Sequence, residues 1–324
     1  MAEQEESGED LKELYISKYH GYLCDLALKA IKKNPFEFIC TMLRVSGCED
    51  EGWDTLSSAK ETLKDFNKCL QQAYEQKNFR AATRIGLVMY CHLVEMTVGH
   101  ELIFNTLRCL DGQKYTMWPF KNLIDVRNKN NPKKKKQVIP PSAKKKFGEI
   151  KKLAQKLNEN EIIRCIDEIF SEEIRNAVSH SDYIVTDEYF RMREGGYPRQ
   201  IDLQTINELI CKCFAFYDAM LFWNNKWLES FAQMSKYLKL PNYEVLELRS
   251  ENNIVNGFAI HFSNGHKASY CRSKCSELVN IIINGNGTIS PTCGRFDLLE
   301  KKWKIDNKPS EEYGMNFNSD NYSR

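Results

Sequence analysis

One short segment concentrates the residue types that move protons and bind oxyanions: Phe170 to Ile184, FSEEIRNAVSHSDYI. It holds Arg175, Asn176, Ser179 and His180 at the end of an amphipathic run. A histidine titrates near neutrality, so it can take a proton or give one. An arginine presents a planar fork of donors to a developing negative charge, and a neighbouring amide can orient either partner. On a helix Asn176 and His180, four apart, share one face, and Arg175 and Ser179 share the adjacent one. Arg175 and His180 are five apart, about 140° around an ideal helix. They converge only where the helix ends near His180, or where a second copy of the segment faces the first. Glu172 and Glu173, just before Arg175, can pair with it or tune His180. The same residues also fit plain roles at a helix terminus, with Arg175 a solvated cation on the helix dipole and His180 a cap.

The elements that must position this segment read as helices. Ser142 is placed to cap one in which Phe147, Ile150, Leu153 and Leu157 recur at helical spacing. After Asn158-Glu159-Asn160 a second helix is expected through Ile162, Ile166, Ile169, Phe170, Ile174 and Val178, ending near His180. Upstream, Leu11 to Leu110 predicts four helices. The first carries Leu14, Leu23, Leu26, Ala27 and Ala30 and ends near Asn34-Pro35; the second stops around Ser46-Gly47; Asp54 or Ser57 caps the third. The fourth runs from about Phe79 to Leu110, with Gly112 closing it. Downstream, YIVT, YFRMR, the turn EGGYP and the short RQI predict an irregular hairpin, and Asp202 caps a last long helix from Leu203 to about Leu238.

From Pro241 the pattern turns to alternation, with Asn264-Gly265 a two-residue hairpin turn and Gly285-Asn286-Gly287 further hairpin chemistry. The fold class is therefore mainly α with a small C-terminal antiparallel β unit, α+β overall. The expected organisation is an N-terminal helical region (1–126), a basic linker (127–141), a helical core bearing the Arg/His segment (142–240), the β unit (241–306) and a polar tail (307–324).

At R-N-A-V-S-H the sequence resembles the HEPN superfamily (higher eukaryotes and prokaryotes nucleotide-binding), whose signature is an Arg, usually followed by a polar residue, with a His a few residues on. Asn176 stands in the polar place. The resemblance covers Ser142 to about Leu238 and extends back over Phe79 to Leu110. It implies an all-α bundle, a homodimer that brings two motifs into one cleft, and metal-independent cleavage of RNA with no cofactor. Such cleavage needs the 2′-hydroxyl deprotonated and the leaving 5′-oxygen protonated. The resemblance assigns that proton transfer to His180, the phosphorane-like charge to Arg175 and an orienting role to Asn176. Ser179, Glu172, Tyr183 and Glu95 are accessory candidates. The toxin branch paired with nucleotidyltransferase antitoxins has its tyrosine two residues after the histidine. Here that position is Asp182 and the tyrosine is Tyr183, so regulation by tyrosine nucleotidylation does not carry over. The implied partners are RNA, a second copy, and an antitoxin or other defence-system protein.

Charge is distributed unevenly. The whole chain has a formal net charge of +2, yet Arg127 to Lys152 holds eleven basic residues against one acid, Glu149. Lys133, Lys134, Lys135, Lys136, Lys144, Lys145 and Lys146 have the composition for sequence-independent contact with phosphates. The run also resembles a nuclear-localisation signal, and it fits a solvated lysine loop, because no aromatic residues interleave it. His92, Glu95 and His100 share the fourth predicted helix, with His92 and Glu95 spaced as in a carboxylate–histidine metal site. No second such pair exists, so a buried polar pair is the reading preferred to a metal. Cys271, Cys275 and Cys293 with His266 form only a loose zinc-like set. The 12 cysteines are scattered and read as reduced.

The sequence lacks G-x-x-x-x-G-K-[ST], H-E-x-x-H and G-x-S-x-G, which sets aside the usual P-loop NTPases, zincin proteases and α/β-hydrolases. The acidic start MAEQEESGED is no secretory signal, and no apolar run approaches the ~20 residues of a membrane span, so a cytoplasmic protein without a membrane partner is expected. The function these features predict is a metal-independent endoribonuclease of HEPN type in a defence or stress system. The alternative is a catalytically inactive dimeric scaffold that binds RNA, nucleotide or protein, with the β unit as an edge-strand dock.

Overall fold

The computed structural model describes residues 2–45, 55–127, 137–194, 196–233, 237–240, 243–261, 267–271, 278–283 and 289–294. Helices dominate and the strands form small antiparallel sheets, as the fold class requires. Two compact units share the chain. The first is built from Met1–Leu26, Thr55–Leu107 and Pro119–Trp223, and the second from Ala27–Asp54, Arg108–Trp118 and Asn224–Arg324. Each unit thus draws on three separate stretches, where the sequence suggested a linear division.

The helices are α1 (Ala2–Lys33), α2 (Pro35–Leu43), α3 (Thr55–Glu75), α4 (Phe79–Glu95), α5 (Thr97–Leu110), α6 (Ala143–Lys156), α7 (Asn160–Ile169), α8 (Glu172–Ser179) and α9 (Leu203–Gln233). Polar caps start them where the sequence allows. The side chains of Asn34, Asn78, Ser142, Ser171 and Asp202 accept from backbone N–H groups at Glu37, Ala81, Lys145, Ile174 and Thr205. The core of the first unit packs Tyr19 and Leu23 of α1, Leu87 and Tyr90 of α4, Ile166 of α7 and Phe216, Tyr217 and Trp223 of α9, all buried. Tyr19 meets Phe216 edge to face at 5.5 Å.

Three expectations about local structure are corrected. The Phe79 to Leu110 helix is two helices, because Met96 is extended (φ −63°, ψ 104°) and α5 restarts at Thr97. The break lets Gly99 approach α9 so closely that a Cβ there would lie 2.7 Å from Cε1 of Tyr217. The Asn160 to His180 helix is also two, since Phe170 and Ser171 are extended and Ser171 caps α8. The basic linker is bracketed by a short hairpin of β1 (Asp125–Arg127) and β2 (Gln137–Ile139).

The irregular hairpin after α8 is a three-stranded antiparallel sheet of β3 (Tyr183–Val185), β4 (Tyr189–Glu194) and β5 (Tyr197–Asp202). Alternation gives it one buried face, with Val185, Phe190 and Met192, and one exposed face.

In the second unit Phe38 of α2 packs against Trp227 and Phe231, and Asn224 Nδ2 donates to the Met42 carbonyl at 2.9 Å. Glu37 is buried and accepts the Tyr115 N–H at 2.6 Å; burial raises its carboxyl pKa against that bond and the nearby Lys114 and Arg108. The sheet β6 (Tyr237–Leu240), β7 (Tyr243–Glu251), β8 (Ile254–His261) and β9 (Lys267–Cys271) follows in that order, and β10 (Leu278–Ile283) pairs β11 (Ile289–Gly294). Phe36 of α2 meets Phe258 of β8 edge to face. The last long helix therefore stops at Gln233, and Leu238 lies in β6. Ser46-Gly47, Asp54, Asn264-Gly265, His266, Cys275, Gly285-Asn286-Gly287 and the tail lie outside the described residues.

Among the described residues the Phe79–Leu110 stretch reaches the length and mean hydropathy of a membrane span, 1.2 over its best window. That window is 67% buried inside the protein, which is how a core helix pair reads.

Candidate functional site

Helix α8 begins at its Ser171 cap, with Glu172 and Glu173 in the first turn, where the dipole favours acids. Ile174, Ala177 and Val178 are its buried face. That face packs on α4 and β4. This leaves Arg175 and Asn176 half-buried and Ser179 and His180 exposed. The helix ends at His180, whose N–H still donates to the Asn176 carbonyl at 2.9 Å. Ser181 then turns left-handed (φ 56°), and the Ser181 and Asp182 N–H groups bond the Val178 and Ala177 carbonyls. This is the Schellman ending, made here without glycine. The helix thus loosens at the residue where convergence of Arg175 and His180 requires it. Five residues of rise separate the two by roughly 7.5 Å along the axis.

Arg175 is held by two oxygens. Its Nη1 donates to Asn176 Oδ1 at 2.9 Å, and its Nη2 forms an ion pair with the carboxylate of Glu95, the last residue of α4. Arg175 Nε and His92 Nε2 are buried and make no hydrogen bond. Cys91 Sγ donates to the Arg175 carbonyl at 3.8 Å. Burial pushes the Cys91 thiol up to about 11, opposed by a hydrogen bond from Ser179 and the charge of Arg175. The structure therefore assembles Arg175, Asn176, Ser179 and Glu95, and adds Cys91 from α4. Spacing on α4 could have found it, since Cys91 lies four residues before Glu95.

Other sequence candidates stand elsewhere. Glu172 does not pair with Arg175; it binds Lys144 Nζ at 2.6 Å across to α6. Glu173 accepts the Ser171 hydroxyl at 3.1 Å. Tyr183 is stacked on Phe190 with ring centroids 5.4 Å apart. Lys144 and Lys145 are exposed, but Lys146 is buried and donates to Thr97 Oγ1 at 2.9 Å. Burial lowers the Lys146 pKa against the pull of Glu95 and Glu101. Lys146 therefore leaves the nucleic-acid-binding set, because its amine fills the gap at the α4–α5 break. Lys133, Lys134, Lys135 and Lys136 lie outside the described residues.

His100 does not join His92 and Glu95. It is fully buried on α5, with Phe147 at 4.5 Å and Phe120 at 6.4 Å between ring centroids. Burial, with Lys146 adding to it, lowers its pKa to about 3. Among the described residues no three His, Cys, Asp or Glu side chains are grouped to hold a metal ion.

Chemically, the helix offers an exposed imidazole at its end, about one and a half turns beyond a guanidinium held by Glu95 and Asn176. That combination suits proton transfer next to an anionic centre. Compared with protein-family models, curated proteins and solved structures, the chain matches none.

Proposed function

We propose that the chain is a metal-independent endoribonuclease of HEPN type, acting as a homodimer in the cytoplasm within a defence or stress system. The observation that carries this reading is the pairing of a fixed Arg175, clamped by Glu95 and Asn176, with an exposed His180 at the end of the same short helix. In the reaction His180 accepts the proton of a ribose 2′-hydroxyl. The 2′-oxygen forms a bond to phosphorus as the bond from phosphorus to the 5′-oxygen breaks, and the 5′-oxygen takes a proton. A second His180 from the facing copy supplies that proton. Arg175 stabilises the charge on the phosphorane-like oxygens.

The ion pair to Glu95 also suits a silent scaffold, in which the charge of Arg175 is already neutralised. The test that separates the two is RNA cleavage by wild type and His180→Ala with EDTA present and the oligomeric state followed by light scattering. Loss of roughly 10²- to 10⁴-fold in rate from an unchanged dimer supports the nuclease. Two equally inert dimers favour the scaffold, and equal activity removes His180 from the reaction.

A further inference from the structure

The three-stranded sheet beyond α8 has an exposed face that the reading above leaves unused. Its outward positions are Ile184 of β3, Tyr189, Arg191 and Arg193 of β4, and Pro198 and Gln200 of β5, in the register Ile184–Arg191–Gln200 across the strands. Ile184 is 63% exposed although apolar, and Arg191, Arg193, Pro198 and Gln200 are exposed as well. The opposite face, with Val185, Phe190 and Met192, is buried, so pairing and core packing already fix the orientation of the strands.

We propose that this face is a binding track for single-stranded RNA, leading the strand to His180; the inference rests on the ribonuclease reading. The argument for this occupant is charge and ring chemistry. Tyr189, Arg191 and Arg193 alternate along one strand at roughly 6.6-Å intervals, a row of one ring and two guanidinium planes. Rings and arginine planes are the groups on which unpaired bases stack, and arginines also bind the phosphates between them. Arg191 Nε donates to Gln200 Oε1 at 2.9 Å on the neighbouring strand, which fixes the plane of the guanidinium before a ligand arrives. Arg193 makes no ion pair among the described residues.

Of the nearby acids, Asp202 stands opposite Tyr189 on the same face, Asp182 and Glu188 are exposed beside the strands, and two are engaged by neighbours. Asp202 accepts from the Thr205 N–H and hydroxyl, and Asp187 holds Arg80 in a two-point pair. The sheet begins at Tyr183, three residues and at most about 11 Å from His180, and β4 packs against α8. Pro198 stands in β5, one of the two edge strands, where a missing N–H discourages strand addition along that edge.

The measurement is fluorescence anisotropy of a short labelled single-stranded RNA with the full chain carrying His180→Ala, which keeps the probe intact. Against it stands the same protein with Arg191→Glu and Arg193→Glu added. The expected result is a Kd weaker by on the order of tenfold per arginine and a salt dependence shallower by about 1.4 in its log–log slope. An Arg191→Lys, Arg193→Lys variant, which keeps charge but not the planar fork, recovers part of the affinity. All three proteins are expected to melt alike, since the replaced side chains are exposed. An unchanged Kd in the Glu variant overturns the track, as does equal affinity for duplex RNA or heparin. No binding by the His180→Ala protein overturns it too. Binding that depends on both arginines, alongside wild type that leaves RNA intact, supports the track and removes the nuclease.

Discussion

Two acidic residues of the first unit meet cations in opposite ways. Glu168 on α7 takes Lys18 Nζ on both carboxylate oxygens, at 2.7 and 2.9 Å, and the buried Tyr19 hydroxyl at 2.7 Å. Burial alone would raise its pKa, but the bonds from Lys18 and Tyr19 hold it below the usual carboxylate range. Every group there has a partner. Glu95 on α4 meets Arg175, yet Arg175 Nε and His92 Nε2 beside it are buried with no hydrogen bond. A buried polar group left unpaired costs about 1–3 kcal/mol and is uncommon in folded proteins. The satisfied cluster ties α1 to α7. The second leaves two buried nitrogens unpaired, as are those of His100 and Trp223 in the core of the same unit.

The contrast is broken most decisively by activity. Arg175→Ala is expected to lower the cleavage rate roughly 10²-fold or more, while Glu168→Ala leaves the rate of folded protein unchanged; single-turnover assays on both settle it. If Glu168→Ala proves as damaging, satisfaction of partners is no guide to function here. The next largest effect is on stability. Glu168→Ala, which strands the Tyr19 hydroxyl, is expected to lose about 2 kcal/mol in urea unfolding, and Glu95→Gln less than about 1 kcal/mol.

A third test uses pH. His100 is buried and neutral, with its pKa down at about 3 against an ordinary 6.5. The unfolded chain therefore takes up this proton first as pH falls. The contribution is complete above pH 6.5 and is lost toward pH 3, at up to about 1.4 kcal/mol per pH unit. His100→Phe, set between Phe147 and Phe120, should flatten that acid limb in denaturation curves taken at a series of pH values. The smallest effect is expected at Lys144, whose pair with Glu172 is exposed: Lys144→Ala should shift stability by no more than about 0.5 kcal/mol.

Local chemistry was legible in the sequence wherever one residue decides it. Ser142 and Asp202 cap helices because a short oxygen-bearing side chain before an apolar run has few other uses, and the α8 segment was marked by its own residue types. What stayed hidden depends on residues far along the chain. Thr97, Val98 and Gly99 weaken the helix after Met96 only locally; Gly99 against Tyr217 and Lys146 reaching Thr97 hold the break from far along the chain. Lys146 looks like its neighbours Lys144 and Lys145 until α6 is docked on α5. The contact of Glu95 with Arg175 spans 80 positions and has no local signature, although helix spacing then places Cys91 beside it.

The Tyr90 hydroxyl accepts the Ser171 N–H at 2.9 Å and donates at 3.3 Å to the Ser171 carbonyl, which also takes the Arg175 N–H, so one atom supplies the partner that the Ser171 N–H lacks where α7 gives way to α8. Eight residues of helix are too few to persist alone. The segment bearing Arg175 and His180 therefore opens or stays closed as a unit, and Tyr90 is its latch. Amide hydrogen exchange would see this directly. Removing the hydroxyl in Tyr90→Phe should speed exchange throughout Glu172–Ser179 while leaving α9 protected, making α8 the first part of the first unit to breathe.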